Sequence, residues 1–376
     1  MKKKKILISG AGPAGLSLGI LLDKNKYDIT LIERGPEFLS IGFAIILWQA
    51  GYEVLKDVLD SEPKNTFSIN RFDIYGEEDM KKLQSIETVG VGYSIKRSDL
   101  VNQLSDQYIS KCGKESVRFG TEIKNIEHFD DGTANVRFSS GLEEKYDLVV
   151  LADGMHSQLR NLFFKSKIAS SPYRINYAWI KSKVNIEKEA LLGFIADYCY
   201  LIQCVGEDTL LAYYNNGLKD GNENFLHNLS KAISAEEDGK LDLDEDSMRI
   251  FSAEKVSVDS SSHKNIVLIG DSFHGHPPTL AMGTTLALED AYVLADQLNN
   301  CDYDKNTVED CLVGYSKSRE LRVSSTYNTQ DLLESFFMSG NKLKIGLDTF
   351  AIKHGGWPIV ENMLRKIFTS SVVKKD

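Results

Sequence analysis

An α/β architecture (α+β overall), with an inserted antiparallel sheet and a helical C-terminal part, follows from three features of this 376-residue sequence. The first is a strand, glycine turn, helix and second strand within residues 4–34. The second is a pair of later aliphatic runs, 146–152 and 265–269, that end at Asp153-Gly154 and Gly270-Asp271. The third is a tract from 174 to 260 rich in alternating and aromatic positions, the pattern of antiparallel strands. Short aliphatic runs bounded by turn residues are strands buried on both faces of a parallel sheet. The chain therefore combines both kinds of sheet.

The first unit is KKILISGAGPAGLSLGILLDKNKYDITLIER. After the strand Ile6–Ile8, Gly10 permits a sharp turn, and the missing side chain at Gly12 lets the backbone approach a pyrophosphate. Gly15 lets the following helix lie close on the sheet. Pro13 and Ala14 open that helix, expected over Ala14–Leu22. Its unpaired N–H groups and positive dipole end face the phosphates. The strand Asp28–Ile32 delivers Glu33, 23 residues after Gly10, where a carboxylate accepts ribose hydroxyls, with Arg34 next to it. A glycine turn alone is common; the strand before it, the helix after it and the acid at this distance make a Rossmann-like dinucleotide site.

Further along, a strand is expected at Phe43–Leu47 and a helix at Tyr52–Leu59, with Trp48, Gln49 and Gly51 in the turn between them. Phe67–Ile74 and Val89–Ile95 read as antiparallel strands. A helix follows with Ser98 as its N-cap and Arg97 just before it. Val117–Phe119, Glu122–Phe129 and Ala134–Phe138 read as a small meander, and Tyr146–Ala152 as one buried strand. A helix is expected near Glu223–Ala235, and the acidic run Glu236–Asp246 reads as a solvated loop. Asn265–Ile269 is the third buried strand. A helix begins near Thr284 or Thr285 and runs to Leu298, and 307–376 is mostly helical, broken at Gly355-Gly356-Trp357-Pro358.

Net charge is −10, with no basic block beyond Lys2–Lys5, which excludes a nucleic-acid face. No apolar run is long enough to span a membrane, and the apolar start is already used by the first strand. The five cysteines form no CxxC pair and no metal-ligand spacing with the seven histidines. Reduced thiols in a cytoplasmic protein, with no metal, are the expectation.

Two further motifs join the glycine turn. One is Asp147-Leu-Val-Val-Leu-Ala-Asp153-Gly154-Met-His-Ser157-Gln-Leu-Arg160. The other runs from Asn265 through Gly270-Asp271, His274, His276-Pro277-Pro278 and Gly283-Thr284-Thr285 to Asp290. In this order the three motifs resemble the single-component FAD-dependent aromatic hydroxylases, the para-hydroxybenzoate hydroxylase-like monooxygenases that include the tetracycline-modifying enzymes. The likeness covers the chain to about residue 325 and rests mainly on the middle motif.

The resemblance implies FAD as cofactor, NAD(P)H as reductant docking transiently, and O2 with a small-molecule substrate. It implies hydroxylation of an aromatic or polycyclic phenolic compound through a C4a-hydroperoxyflavin. Gly10, Gly12, Pro13, Ala14, Gly15, Glu33 and Arg34 would hold the ADP half. Arg97 would touch the pyrophosphate and ribityl region, its alternative being a surface salt bridge. Asp153 would serve FAD and NAD(P)H or, equally, cap a helix, and Arg160 would anchor that turn. Asp271 would accept from ribityl hydroxyls, and the N–H groups of Gly283, Thr284 and Thr285 would stabilise charge at the flavin N1/O2 edge. Trp48, Gln49, His276, Pro277 and Pro278 are candidate pocket residues, and no side chain is assigned as catalytic acid or base.

Ser272, Phe273, Met282 and Thr285 depart from the family's usual residues beside the ring. Gly270-Asp271-Ser272 also imitates an esterase motif, but no Asp-x-x-His follows it; the motifs of flavin halogenases are missing. Two alternatives stay open: an FAD-dependent reductase or dehydrogenase of an isoprenoid or quinone-like substrate, and a flavoprotein that binds an intermediate without turnover. The expected organisation is an FAD-binding domain of 1–70, 97–170 and 262–325, a substrate domain of 71–96 and 171–261, and a helical segment 326–376, in a monomer or weak homodimer.

Overall fold

The computed structural model describes residues 2–39, 44–76, 82–129, 132–180, 190–195, 199–205, 208–215, 249–337, 357–369 and 372. The expected helix near 223–235, the acidic run 236–246 and the break before Trp357 lie outside these residues. The chain opens with β1 (Lys4–Ser9), α1 (Pro13–Leu21) and β2 (Tyr27–Glu33), the two strands parallel with Ile6 beside Ile29. Ala14 through Ile20 are all buried. A helix buried all round is enclosed by other elements, and α1 lies between the sheet and two later helices.

Next come β3 (Ala44–Leu47) and α2 (Gln49–Leu59). The helix starts earlier than Tyr52: Trp48 is its N-cap, and Gln49 and Gly51 are already helical. Gly51 is not a turn residue. A Cβ there would lie 2.9 Å from the Thr285 Cα, so the glycine allows two helices to touch. The strands β4 (Thr66–Gly76) and β5 (Lys82–Lys96) pair antiparallel and lead into α3 (Arg97–Cys112). Arg97 is thus the first helical residue, and Lys96, not Ser98, occupies the N-cap.

The meander is composed differently from expectation. β6 (Val117–Phe119) pairs in parallel with β2, Leu31 beside Val117. The meander consists of β7 (Ile123–His128), β8 (Ala134–Phe138) and β9 (Glu143–Tyr146). The expected strand Tyr146–Ala152 divides at Asp147: Tyr146 pairs with Ala134, while β10 (Leu148–Leu151) pairs with β1. Asp147 explains the break, because its carboxylate accepts from Lys4 Nζ at 3.0 Å and from the Lys5 N–H at 2.8 Å.

The remainder comprises α4 (Arg160–Phe163), β11 (Ser166–Ile180), β12 (Ala190–Ile195), β13 (Cys199–Val205), β14 (Asp208–Asn215) and β15 (Arg249–Val258). Then follow β16 (Ser262–His263), β17 (Ile266–Leu268), α5 (Asp271–His274), α6 (Gly283–Asn299), α7 (Val308–Phe337) and α8 (Trp357–Thr369). Among the described residues there are three sheets: β16-β17-β10-β1-β2-β6, β15-β11-β14-β13-β12-β4-β5-β3, and β7-β8-β9. The first is parallel except for β16, and the second is antiparallel except where β12 meets β4. No helix among the described residues is long and apolar enough to cross a membrane.

The parallel sheet separates two cores. Ile6, Ile8, Leu148, Val150, Val267 and Ile269 face the helices, while Leu7, Val149, Leu151, Ile266 and Leu268 face the meander side. Side chains alternate along a strand, so continuous aliphatic runs are what a sheet buried on both faces requires.

The expectation of reduced thiols fails at one pair. Cys301 and Cys311 are joined by a disulfide, with Cα atoms 6.2 Å apart and a sequence separation of 10. They close the short connection between α6 and α7, a proximity that carries no CxxC signature. A loop of this length gives a cross-link worth about 2–3 kcal/mol through the unfolded state. Alkylation of protein denatured without reductant is expected to leave Cys301 and Cys311 unmodified, and reduction is expected to lower Tm by several degrees. Full alkylation of both without reductant would contradict the pairing.

Candidate functional site

The three motifs meet at the carboxyl ends of β1, β10 and β17, where ligands bind to sheets of this kind. Gly10 has φ +111°, and a Cβ there would overlap the Ala152 carbonyl and lie 3.1 Å from the Asp153 Cα. First and second motifs therefore touch. Gly270, at φ +65°, brings the third motif in: its Cβ position lies 3.1 Å from the Ala14 Cβ and 3.5 Å from the Ala287 Cβ. Arg160, fully buried, joins the second to the third, donating from NH1 to Ser272 O at 3.0 Å and from NH2 to Met155 O at 2.9 Å. Ser272 Oγ donates to Leu151 O at 2.6 Å. That internal bond removes Ser272 as an esterase nucleophile.

Around the glycine turn, Glu33 accepts from the Ala11 N–H at 3.0 Å and the Gly35 N–H at 2.9 Å, which fixes its carboxylate beside the turn. A Cβ on Gly15 would overlap the Gly10 carbonyl oxygen, whereas a Cβ on Gly12 would meet nothing within 4 Å. Gly12 thus faces open space, with the unpaired N–H groups of the first turn of α1 behind it. Pro13 starts the helix and Arg34 is exposed.

Two buried polar atoms here, Arg97 Nε and Asp153 Oδ1, have no partner among the described residues. Asp153 does not cap a helix; its Oδ2 accepts from Ser157 Oγ at 2.8 Å, and Ser157 Oγ accepts from the Arg160 N–H at 3.2 Å. Burial pushes the Asp153 carboxyl up, against the opposing Ser157 hydrogen bond. Free helix N–H groups, open space at Gly12, a fixed carboxylate and unsatisfied Arg97 and Asp153 atoms form a set suited to a dinucleotide, the donors to its diphosphate and the acceptors to its hydroxyl groups.

At the other end of the site, α6 begins at Gly283 with no side-chain cap. The Gly283, Thr284 and Thr285 N–H groups precede its first intrahelical bond, from the Leu286 N–H to Met282 O. Thr285 is buried, and its Oγ1 accepts from the Trp48 N–H at 3.1 Å. Trp48, 3% exposed, donates from Nε1 to Leu280 O at 2.8 Å and stacks on Phe368 at 3.6 Å. It is a structural tie from β3 to α6 more than an open wall. Gln49 Nε2 donates to Glu53 at 3.0 Å. His276 and Pro277 are buried and Pro278 half-buried, on the loop that leads to Gly283, while Asp271 is exposed at the start of α5.

Sequence reasoning misses a buried ion cluster behind this loop. Asp290 Oδ2 accepts from the Gly270 N–H at 2.7 Å and pairs with His274 Nε2 at 2.6 Å, while its Oδ1 accepts from Arg319 Nε at 2.7 Å. Arg319 NH1 also donates to Glu289 at 2.8 Å, and Arg322 pairs with Glu289 at 3.0 Å. Asp290, Glu289, His274 and Arg319 are completely buried. An acidic pair inside an otherwise apolar helix is the available signal. Burial alone would raise the Asp290 carboxyl, but the His274 imidazole and Arg319 guanidinium hold it below its ordinary value.

The parallel sheet and its converging turns define a dinucleotide-binding protein. A family model described as FAD binding domain matches residues 3–187 and 211–329. The chain belongs to that family, as one of the para-hydroxybenzoate hydroxylase-like flavoprotein monooxygenases, and FAD is its cofactor. It is 28% identical over 340 residues to the FAD-dependent monooxygenase asL6 of Sarocladium schorii, covering 78% of this chain and 79% of that protein. It is 25% identical over 361 residues to the putative FAD-dependent monooxygenase YetM of Bacillus subtilis, covering 86% and 91%. Its fold matches the crystal structure of Klebsiella pneumoniae HpxO complexed with FAD and uric acid, with a TM-score of 0.83, 18% identity, and 99% and 98% of the two chains covered.

Two outcomes follow from this geometry. Gly15→Ala forces a methyl group onto the Gly10 carbonyl, and the purified variant is expected to lose its flavin absorbance while wild type stays yellow. Arg319→Met leaves Asp290 and Glu289 buried with reduced compensation, expected to cost about 3–5 kcal/mol in urea unfolding. Because the folded Asp290 is depressed, its contribution is complete at neutral pH and is lost as pH falls below about 4. The variant should therefore also show a flatter acid dependence of stability.

Proposed function

We propose that this chain is an NAD(P)H- and FAD-dependent monooxygenase that hydroxylates an aromatic or polycyclic phenolic small molecule. The observation that carries this reading is the convergence of three turns on one side of the parallel sheet, tied through Trp48 and Thr285 to the edge strand of the antiparallel sheet. Bound FAD supplies the redox chemistry, accepting a hydride from NAD(P)H and activating O2 for transfer of one oxygen atom.

The chain's own residues bind, orient and shield. Gly10, Gly12, Pro13, Ala14, Gly15, Glu33 and Arg34 take the ADP half, with the Arg97 Nε–H directed at the diphosphate and ribityl region and Asp153 serving FAD and NAD(P)H. Asp271 accepts ribityl hydroxyls. The Gly283, Thr284 and Thr285 N–H groups stabilise negative charge at the ring edge, as an oxyanion hole does. Gln49 at the start of α2, and His276, Pro277 and Pro278 on the loop before α6, line the substrate pocket, with Trp48 tying the two segments together. Enclosure between the two sheets excludes water. The FAD-binding part is 1–70, 97–170 and 262–325, the substrate part is 71–96 and 171–261, and 326–376 is the C-terminal segment. We assign a cytoplasmic protein, a monomer or weak homodimer, with NAD(P)H docking transiently.

The test is NADH and NADPH oxidation with O2 uptake, comparing phenols, quinones, tetracyclines and uric acid with no substrate. One compound is expected to accelerate flavin reduction and to gain an oxygen-18 atom from labelled O2. Product formed equally without O2 would favour a reductase, and tight ligand binding without stimulated NAD(P)H oxidation would favour a binding protein.

A further inference from the structure

We propose that His276 is a ribityl-recognition residue whose Nε2 accepts a hydrogen bond from a flavin hydroxyl beside the one taken by Asp271. This inference rests on the FAD site described above and adds to it a side chain outside the glycine and Gly-Asp turns.

The tautomer of His276 is set by its own loop. Its Nδ1 lies 2.7 Å from the His274 carbonyl oxygen. A carbonyl only accepts, so Nδ1 carries the proton and Nε2 presents a lone pair. Nε2 is buried and has no hydrogen-bond partner among the described residues. Burial also lowers the His276 pKa to about 4, so the ring stays a neutral acceptor through the physiological range.

Three neighbouring donors are engaged elsewhere. Tyr327 packs edge-on at 5.7 Å, but its hydroxyl donates to Val256 O at 2.9 Å. Lys255 Nζ is paired with Asp331 at 2.8 Å, and His274 Nε2 with Asp290. Among the described residues no donor reaches that lone pair.

Position identifies the donor's chemistry. The point a Cβ on Gly283 would occupy is 3.9 Å from Asp271 Oδ1 and 3.9 Å from His276 Cε1. A carboxylate and a neutral imidazole, both acceptors, thus flank the first residue of α6. Phosphate and carbonyl oxygens, which cannot donate, pair with the N–H groups at the start of α6 and have no reason to contact these two acceptors. Adjacent hydroxyl groups do, and the polyol of FAD is its ribityl chain.

The experiment strips flavin from the holoenzyme and measures rebinding of FAD and its 2′-, 3′- and 4′-deoxyribityl analogues by quenching of flavin fluorescence. Wild type is expected to discriminate against the analogue lacking the hydroxyl that His276 binds by about tenfold, the worth of one hydrogen bond. His276→Leu should bind FAD about tenfold more weakly and lose that discrimination, while keeping the discrimination due to Asp271. His276→Asn, which keeps an acceptor, should recover part of both; it carries the test if the leucine variant does not fold by circular dichroism. A leucine variant that discriminates against every analogue as wild type does, or an asparagine variant whose FAD binding is weakened with discrimination unchanged, would overturn the proposal. Wild-type protein that fails to take up FAD would overturn the flavin reading itself, a separate outcome.

Discussion

The buried Asp290 carboxylate is the constraint on which the site depends. It binds a backbone N–H at Gly270, the His274 ring and the Arg319 guanidinium at once. Those contacts lock the turn after β17, the helix α6 and the helix α7 to one another. A buried carboxylate is tolerated only when its lone pairs are filled and its charge is balanced. Any shift of α6 against α7 would break that condition. The positions of Asp271 and of the free N–H groups at Gly283 follow from it.

On the opposite side of the turn, contact is set by missing side chains. Gly10 lies against Ala152 and Asp153, Gly15 against Gly10, Gly270 against Ala14 and Ala287, and Gly51 against Thr285. Each brings two backbones closer than side chains would permit. Segments as distant in sequence as 10, 153 and 270 are held together by this packing and by Arg160, leaving polar atoms of Arg97, Asp153 and His276 without partners among the described residues. Unpartnered buried atoms of this kind are what a bound ligand would complete.

Much of this is legible in the order of the amino acids. Glycines at 10, 12 and 15, the acid at 33 and the aliphatic runs at 6, 148 and 266 act through local geometry, so their spacing carries their meaning. Other readings fail where a local signal has a non-local cause. Gly51 has the look of a turn residue, yet its glycine serves a helix contact with Thr285. Val117–Phe119 has the pattern of a meander strand, yet its partner is β2. The strand through Asp147 divides because the carboxylate turns back to Lys4 and Lys5. Cys301 and Cys311 have no recognisable spacing, and their approach is set by how two helices meet.

The sequence by itself determined the glycine turn, the acid after the second strand, the buried strands and the presence of a second, antiparallel sheet. Those are properties of short segments, governed by backbone sterics and by hydrophobic period. Only the tertiary structure decided which strands share a sheet, that Asp290 pairs with Arg319, and that His276 Nε2 is left without a partner among the described residues. These depend on which distant groups meet after the chain collapses and on what desolvation then demands of them, and neither is written in the spacing of neighbours.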